Sequence, residues 1–231
     1  MEEPRHTVWI REHALEDSLW DAAYARLDDG ARSRLKLCIA RLHALWGERP
    51  LSRSSSASFA AGFAVTWEQN PAPYALILCP TDLGHPDRLL AACLPPLLAG
   101  VDLVLPWFLV PPPGAPRTPL SPLLAALELA GLEQVVLASG DETLQGLVLM
   151  REALGAGRIL FLGPRSQGES FVLAAYRLGV PCLALTGEEG DAPLLDSAHE
   201  GVWIWPDLAP EWFCRHKVAL EGEDPKRQDC P

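Results

Sequence analysis

The run Arg158-Ile159-Leu160-Phe161-Leu162 leads directly into Gly163-Pro164-Arg165-Ser166-Gln167-Gly168 and then into a segment of helical periodicity. This order of residue types suits anion binding. A glycine-bounded loop lets the backbone approach a ligand closely, and the first turn of the helix that follows offers N–H groups without intrahelical acceptors, at the positive end of the helix dipole. Arg165 would add a two-pronged donor for a phosphate. Gly163, Pro164, Arg165, Ser166 and Gly168 are therefore one half of the expected cofactor-binding set. The spacing matches neither a GxGxxG fingerprint nor a P-loop, which needs a lysine. The same strand-to-helix turn also arises from packing alone.

The second half lies at the end of an earlier apolar run, residues 75–79, where Cys79 is followed by Pro80-Thr81-Asp82-Leu83-Gly84-His85-Pro86. Pro80, Thr81 and Asp82 are expected to face the same ligand. Asp82 and His85 could also orient and deprotonate the Cys79 thiol. Against that stands the ordinary behaviour of a cysteine on a buried strand, which is inert packing, with Asp82 as a turn former and His85 as a loop or cap residue. The six cysteines show no CxxC spacing, and His199 and His216 lack partners at ligand spacing, so no metal is expected.

Short apolar runs at 75–79, 102–105, 134–138, 158–162, 182–185 and 202–205 alternate with helical segments at 87–99, 120–130, 142–154 and 169–178. Strands buried on both faces read as continuous hydrophobics, and repeated β–α alternation implies right-handed crossovers onto a parallel sheet. The fold class is therefore α/β, a doubly wound, mostly parallel, Rossmann-like sheet. Helical spacing at 15–27 and 31–46 predicts a helical hairpin in front of it, occupying residues 1–50. The serine-rich stretch 48–58 reads as a linker, 59–67 as an additional strand that can form a hairpin at the sheet edge, and 219–231 as a polar tail after an α/β domain spanning 59–218. Seven prolines in 106–122 predict an ordered loop over the strands' carboxyl edge.

Phe161-Leu162-Gly163-Pro164-Arg165-Ser166-Gln167-Gly168 resembles the FTGS-x-x-x-G loop of aldehyde dehydrogenases, and Gly163-Pro164 resembles the GPGN loop of histidinol dehydrogenases. Leu94-Pro95-Pro96-Leu97-Leu98-Ala99-Gly100-Val101-Asp102 is similar to the segment entering that superfamily's second strand. Ala125-Ala126-Leu127-Glu128-Leu129-Ala130-Gly131 is similar to the helix before its third, and Leu185-Thr186-Gly187 falls where aldehyde dehydrogenases carry E-L-G-G. The resemblance covers residues 60–190 and implies an NAD(P)-binding domain with the nucleotide across the carboxyl edge. Two departures stand out: Pro106 or Trp107 replaces the lysine that holds the adenosine ribose, and Pro164 replaces the FTGS serine.

The superfamily's catalytic half would follow residue 190. Only about 40 residues remain there, with no second domain to hold a thiolate and an oxyanion hole together. The expected function is thus a degenerate NAD(P)-type nucleotide-binding domain without oxidoreductase activity of its own. The alternatives are an interaction or structural subunit that kept the scaffold, and a dehydrogenase or reductase completed by another subunit. The net charge of −11 gives no basic field for nucleic acid or anionic lipid, and no apolar stretch suits a signal peptide or membrane span, so a cytoplasmic protein is expected. Protein partners or self-association would use the helical hairpin or the tryptophan-rich region 202–213.

Overall fold

A computed structural model of the chain describes residues 3–47, 51–111, 120–185, 203–205 and 208–222. Three helices come first, α1 (Arg5–His13), α2 (Asp17–Ala25) and α3 (Asp29–Trp46), followed by a hairpin of β1 (Arg53–Phe59) and β2 (Phe63–Pro71). Strands and helices then alternate: β3 (Ala75–Pro80), α4 (Pro86–Leu98), β4 (Val104–Leu109), α5 (Ser121–Leu129), β5 (Val136–Ala138), α6 (Gly140–Leu154), β6 (Arg158–Leu162), α7 (Arg165–Arg177) and β7 (Cys182–Leu185). A 3₁₀ turn, Pro210–Phe213, leads into β8 (Cys214–Gly222). No described helix is long and apolar enough to cross a membrane.

Strands β3 to β7 form one parallel sheet in the order β5-β4-β3-β6-β7. The chain enters at the centre, winds outward through β4 and β5, and returns to the other side of β3 to form β6 and β7. Right-handed crossovers then put α4 and α5 on one face and α6 and α7 on the other. Alternation within a strand feeds both layers. Ala75, Ile77 and Cys79 of β3 enter the core under α4 and α5, while Leu76 and Leu78 enter the core under α6 and α7. This two-sided burial is why the strands read as unbroken hydrophobic runs.

The N-terminal helices are layered onto this sandwich. Helix α2 packs on α5, α3 on α4, and α1 on α6. Helix α1 has no counterpart in the sequence reading because only Trp9 and Ile10 of its nine residues are buried, too few to make a stripe. Its exit guards the sheet: Ala14 pairs with Val136, and the Leu15 N–H donates to the Val135 carbonyl at 3.0 Å. The open edge of β5 is covered in this way.

Several boundaries differ from expectation. The serine-rich stretch read as a linker forms β1, paired with β2 from Arg53↔Gln69 to Phe59↔Phe63. Residues 219–222, read as tail, complete β8, which pairs antiparallel with β2. Both strands take their order from β2 rather than from local propensity. Trp203–Trp205, part of the expected strand 202–205, are irregular, with Trp203 and Trp205 buried and Ile204 half-buried; Val202 lies outside the described residues. Strand β4 extends through Pro106 to Leu109, beyond the expected 102–105. Proline is tolerated because β5 begins to pair with β4 only at Trp107, so one flank of β4 has no partner strand at Pro106. Most of the expected proline loop, 112–119, lies outside the described residues, as do Thr186, Gly187, His199 and residues 223–231.

Helix α6 starts two residues earlier than expected, because Ser139-Gly140-Asp141-Glu142 is a capping box. The Ser139 hydroxyl accepts from the Glu142 N–H, and the Glu142 carboxylate accepts from the Ser139 N–H at 2.8 Å and hydroxyl at 2.7 Å. These bonds to Ser139 hold the Glu142 carboxyl below the usual glutamate range. A carboxyl with a depressed folded pKa stabilises at neutral pH and loses that contribution as pH falls through the depressed value. Ser139→Ala is expected to lower stability by about 1 kcal/mol. Urea unfolding between pH 7 and pH 3 is expected to show a smaller acid-dependent loss for this variant than for the parent.

Candidate functional site at the carboxyl edge

Strands β3 and β6 are neighbours, paired from Ala75↔Arg158 to Leu78↔Phe161, yet the connections that leave them wind in opposite directions. The turns after them therefore separate and leave a crevice at their carboxyl ends, the place where open α/β sheets bind ligands. Both halves of the expected set meet there. Gly163 has φ of +151°, and a Cβ on it would stand 3.3 Å from Pro80 Cδ and 3.2 Å from Phe161 Cζ. Only glycine fits this contact without strain.

The donors divide between structure and solvent. The Gly163 N–H is committed to the Leu185 carbonyl at 3.2 Å, which ties the turn to β7. Pro164 is the N-cap of α7 and supplies no side-chain acceptor, and Gln167 donates back to the Pro164 carbonyl at 2.9 Å. The N–H groups of Asp82, Arg165 and Ser166 have no backbone acceptor among the described residues, whereas that of Thr81 continues the β3–β4 ladder toward the Leu109 carbonyl. Thr81 is half-buried, while Asp82, Pro164 and Ser166 are exposed. These three N–H groups come from two adjoining turns, with the dipole of α7 behind two of them, and are donors of the kind that anions accept from. The side chain of Arg165 lies outside the description.

Gly168 has a different role from the one expected. It is buried, and a Cβ there would come within 2.5 Å of Phe161 Cδ1, so its part is to let α7 lie close on β6. Trp107, one of the two residues at the ribose-lysine position, is fully buried on the α6 side, its ring 4.7 Å from that of Trp9. Its indole is enclosed there and does not reach the crevice.

The thiol reading fails on geometry. Cys79 is sealed in the core beneath α4, where burial, reinforced by the neighbouring Cys93, pushes its pKa well up. Its Sγ lies 3.9 Å from the Trp107 carbonyl, while Asp82 and His85 are exposed. The strand's alternation sends thiol and loop residues to different places. Burial also raises Cys38 and Cys182 to about 11 each. Among the described residues no group of His, Cys, Asp and Glu could hold a metal ion. The tryptophan-rich segment packs on α4: the Arg88 guanidinium lies 4.1 Å from the Trp203 ring centroid, and Trp205 Nε1 donates to the Arg88 carbonyl at 3.1 Å.

No protein-family model and no curated protein sequence matches the chain. Solved structures do. A histidinol dehydrogenase from Elizabethkingia anophelis is 17% identical, over 74% of this chain and 39% of that one, with a TM-score of 0.58. An aldehyde dehydrogenase from Brucella melitensis biovar abortus 2308 is 16% identical over 83% of this chain and 40% of that one, with a TM-score of 0.48. PnpE in complex with nicotinamide adenine dinucleotide is 19% identical over 82% and 38%, with a TM-score of 0.46. The chain spans about two fifths of the length of these structures. At such identities the likeness is one of fold, and it is the fold that the Gly163 loop and its flanking segments resemble.

Native-state alkylation read by mass spectrometry is expected to leave Cys79 and Cys93 unmodified at pH 8, with modification only after unfolding. Rapid labelling of Cys79 in the folded protein would contradict its placement.

Proposed function

We propose that this chain binds a nucleotide of the NAD(P) type across the crevice between β3 and β6, with the pyrophosphate at the N-terminus of α7, and that its described residues do no redox chemistry of their own. The observation carrying this reading is the meeting of two open-donor turns at the reversal of winding, where Gly163 leaves a cradle that a Cβ would fill. An extended diphosphate accepts hydrogen bonds along its length, and the N–H groups of Asp82, Arg165 and Ser166 match it in chemistry. The exposed Asp82 carboxylate would accept from ribose hydroxyls, and the Arg165 guanidinium would pair with a phosphate. Hydride transfer would be the chemistry of a bound nicotinamide. The chain's own groups support binding without that step, because the Cys79 thiol is buried and protonated and lies apart from Asp82 and His85.

The missing sugar grip at Trp107 favours a weaker, degenerate form of nucleotide binding over that of an intact dehydrogenase. Calorimetry and thermal shift with NAD⁺, NADH, NADP⁺, NADPH and AMP test it. A binding nucleotide at about 100 times its dissociation constant adds about 2.7 kcal/mol of stability. Gly163→Val is expected to abolish the shift, and Arg165→Gln, at the helix terminus, to weaken binding about tenfold without loss of fold. Absence of any shift at millimolar nucleotide would exclude this function.

A further inference from the structure

Helix α1 lies against α6, and the two helices leave a groove of about 470 Å³ between their flanks. Arg5, Val8, Trp9 and Glu12 of α1 border it, at the i, i+3, i+4 and i+7 spacing of one helix face, and Gln145 and Leu149 of α6 border it from the other side. The middle is apolar: Trp9 is buried, and Val8 and Leu149 are half-buried. The ends are charged. Arg5 and Glu12 stand about 10 Å apart along the helix axis, at a rise of about 1.5 Å per residue. Both are exposed, and neither has an ion-pair partner among the described residues. The other acid of the rim, Glu3, is already spent on Arg11, which donates to both of its carboxylate oxygens at 2.8 Å.

Trp9 is a wall of this groove and holds an unused donor. Its ring is stacked on His13 at 4.0 Å and tilted against Trp107 at 4.7 Å, and its Cη2 corner faces Gly146, where a Cβ would come within 2.9 Å. These contacts fix the indole in one orientation, yet none of them takes its N–H: Nε1 is buried without a hydrogen-bond partner. A buried N–H left in that state costs free energy that an acceptor arriving in the groove would recover.

We propose that the groove binds a short apolar peptide with both ends free, about three residues long. Three extended residues span about 10 Å, the separation of the two charges along α1. The peptide carboxylate pairs with Arg5 and its ammonium with Glu12, so the peptide runs against the direction of the helix. Its side chains lie on Val8, Trp9 and Leu149, one of its carbonyls accepts from Trp9 Nε1, and the Gln145 amide, both donor and acceptor, pairs with a peptide unit. Charges of both signs suit a zwitterion, whereas a fatty acid or a simple amine would leave one of them unmatched. A single amino acid is too short to engage both.

Titration of the isotope-labelled full chain with the tripeptide Ala-Leu-Ala, read at the assigned Trp9 Nε1–H resonance, tests the site. The resonance is expected to move downfield and to saturate in the millimolar range. Arg5→Gln and Glu12→Gln are each expected to weaken binding about threefold, the scale of one exposed ion pair. Blocking the matching end removes the same contact, so an amidated tripeptide is expected to be indifferent to R5Q and an acetylated one to E12Q. Circular dichroism checks that both variants keep the fold, which these exposed positions permit. A Trp9 resonance that stays in place up to the limit of tripeptide solubility overturns the site. A shift that ignores both substitutions and both blocked ends overturns the peptide as its occupant, and one produced equally by free leucine overturns the length.

Discussion

The central strand β3 is hydrogen-bonded on both edges and buried on both faces, and the rest of the molecule follows from that confinement. A strand so placed needs neighbours on either side, and right-handed crossovers supply them only if the chain winds outward once and then comes back past its start. The reversal opens the crevice beside Pro80, and the two layers of helices close over the residues of β3 that alternate between them. The same confinement makes Cys79 inert: a side chain at the buried end of a central strand has neither water nor a charge to stabilise a thiolate.

At the crevice, backbone rather than side chains supplies the polar chemistry. Two glycines four helical residues or fewer from the turn do unlike things, Gly163 by allowing the loops after β3 and β6 to touch and Gly168 by letting a helix settle on an aromatic ring. Neither makes a hydrogen bond to a ligand necessary, which is why the turn alone, read in sequence, is equally a packing device. What the proposed ligand reading adds is the company the turn keeps: an adjoining turn whose Asp82 N–H has no backbone acceptor among the described residues.

The parallel sheet was legible because each of its strands is apolar over its whole length and each crossover helix carries its own periodicity. That Pro80 and Gly163 lie on one edge was legible too, since β–α alternation puts every strand's carboxyl end on the same side of the sheet; the strand order that makes β3 and β6 neighbours was not. The antiparallel sheet was not. Arg53–Phe59 is mostly serine, and Cys214–Gly222 alternates charge with aliphatic residues, so each becomes a strand only beside β2. Helix α1 was hidden for a related reason, its two anchors Trp9 and Ile10 being adjacent rather than spaced by a turn. The serine and glutamate at 139 and 142, by contrast, carried a capping signal that would have placed the start of α6.

Arg158, at the amino end of β6, donates to the carbonyls of Trp212, at 2.7 Å, and of Cys214, which joins the central sheet to the start of β8. Both partners come late in the chain, as does the whole of β8, while β2 comes early. During synthesis β2 must therefore wait with one edge unpaired until most of the α/β sandwich has emerged, and the Arg158 guanidinium waits with it. Closure of the small sheet is a late, non-local event in folding, and until it happens the nascent chain exposes a sticky strand whose natural partner has yet to be made.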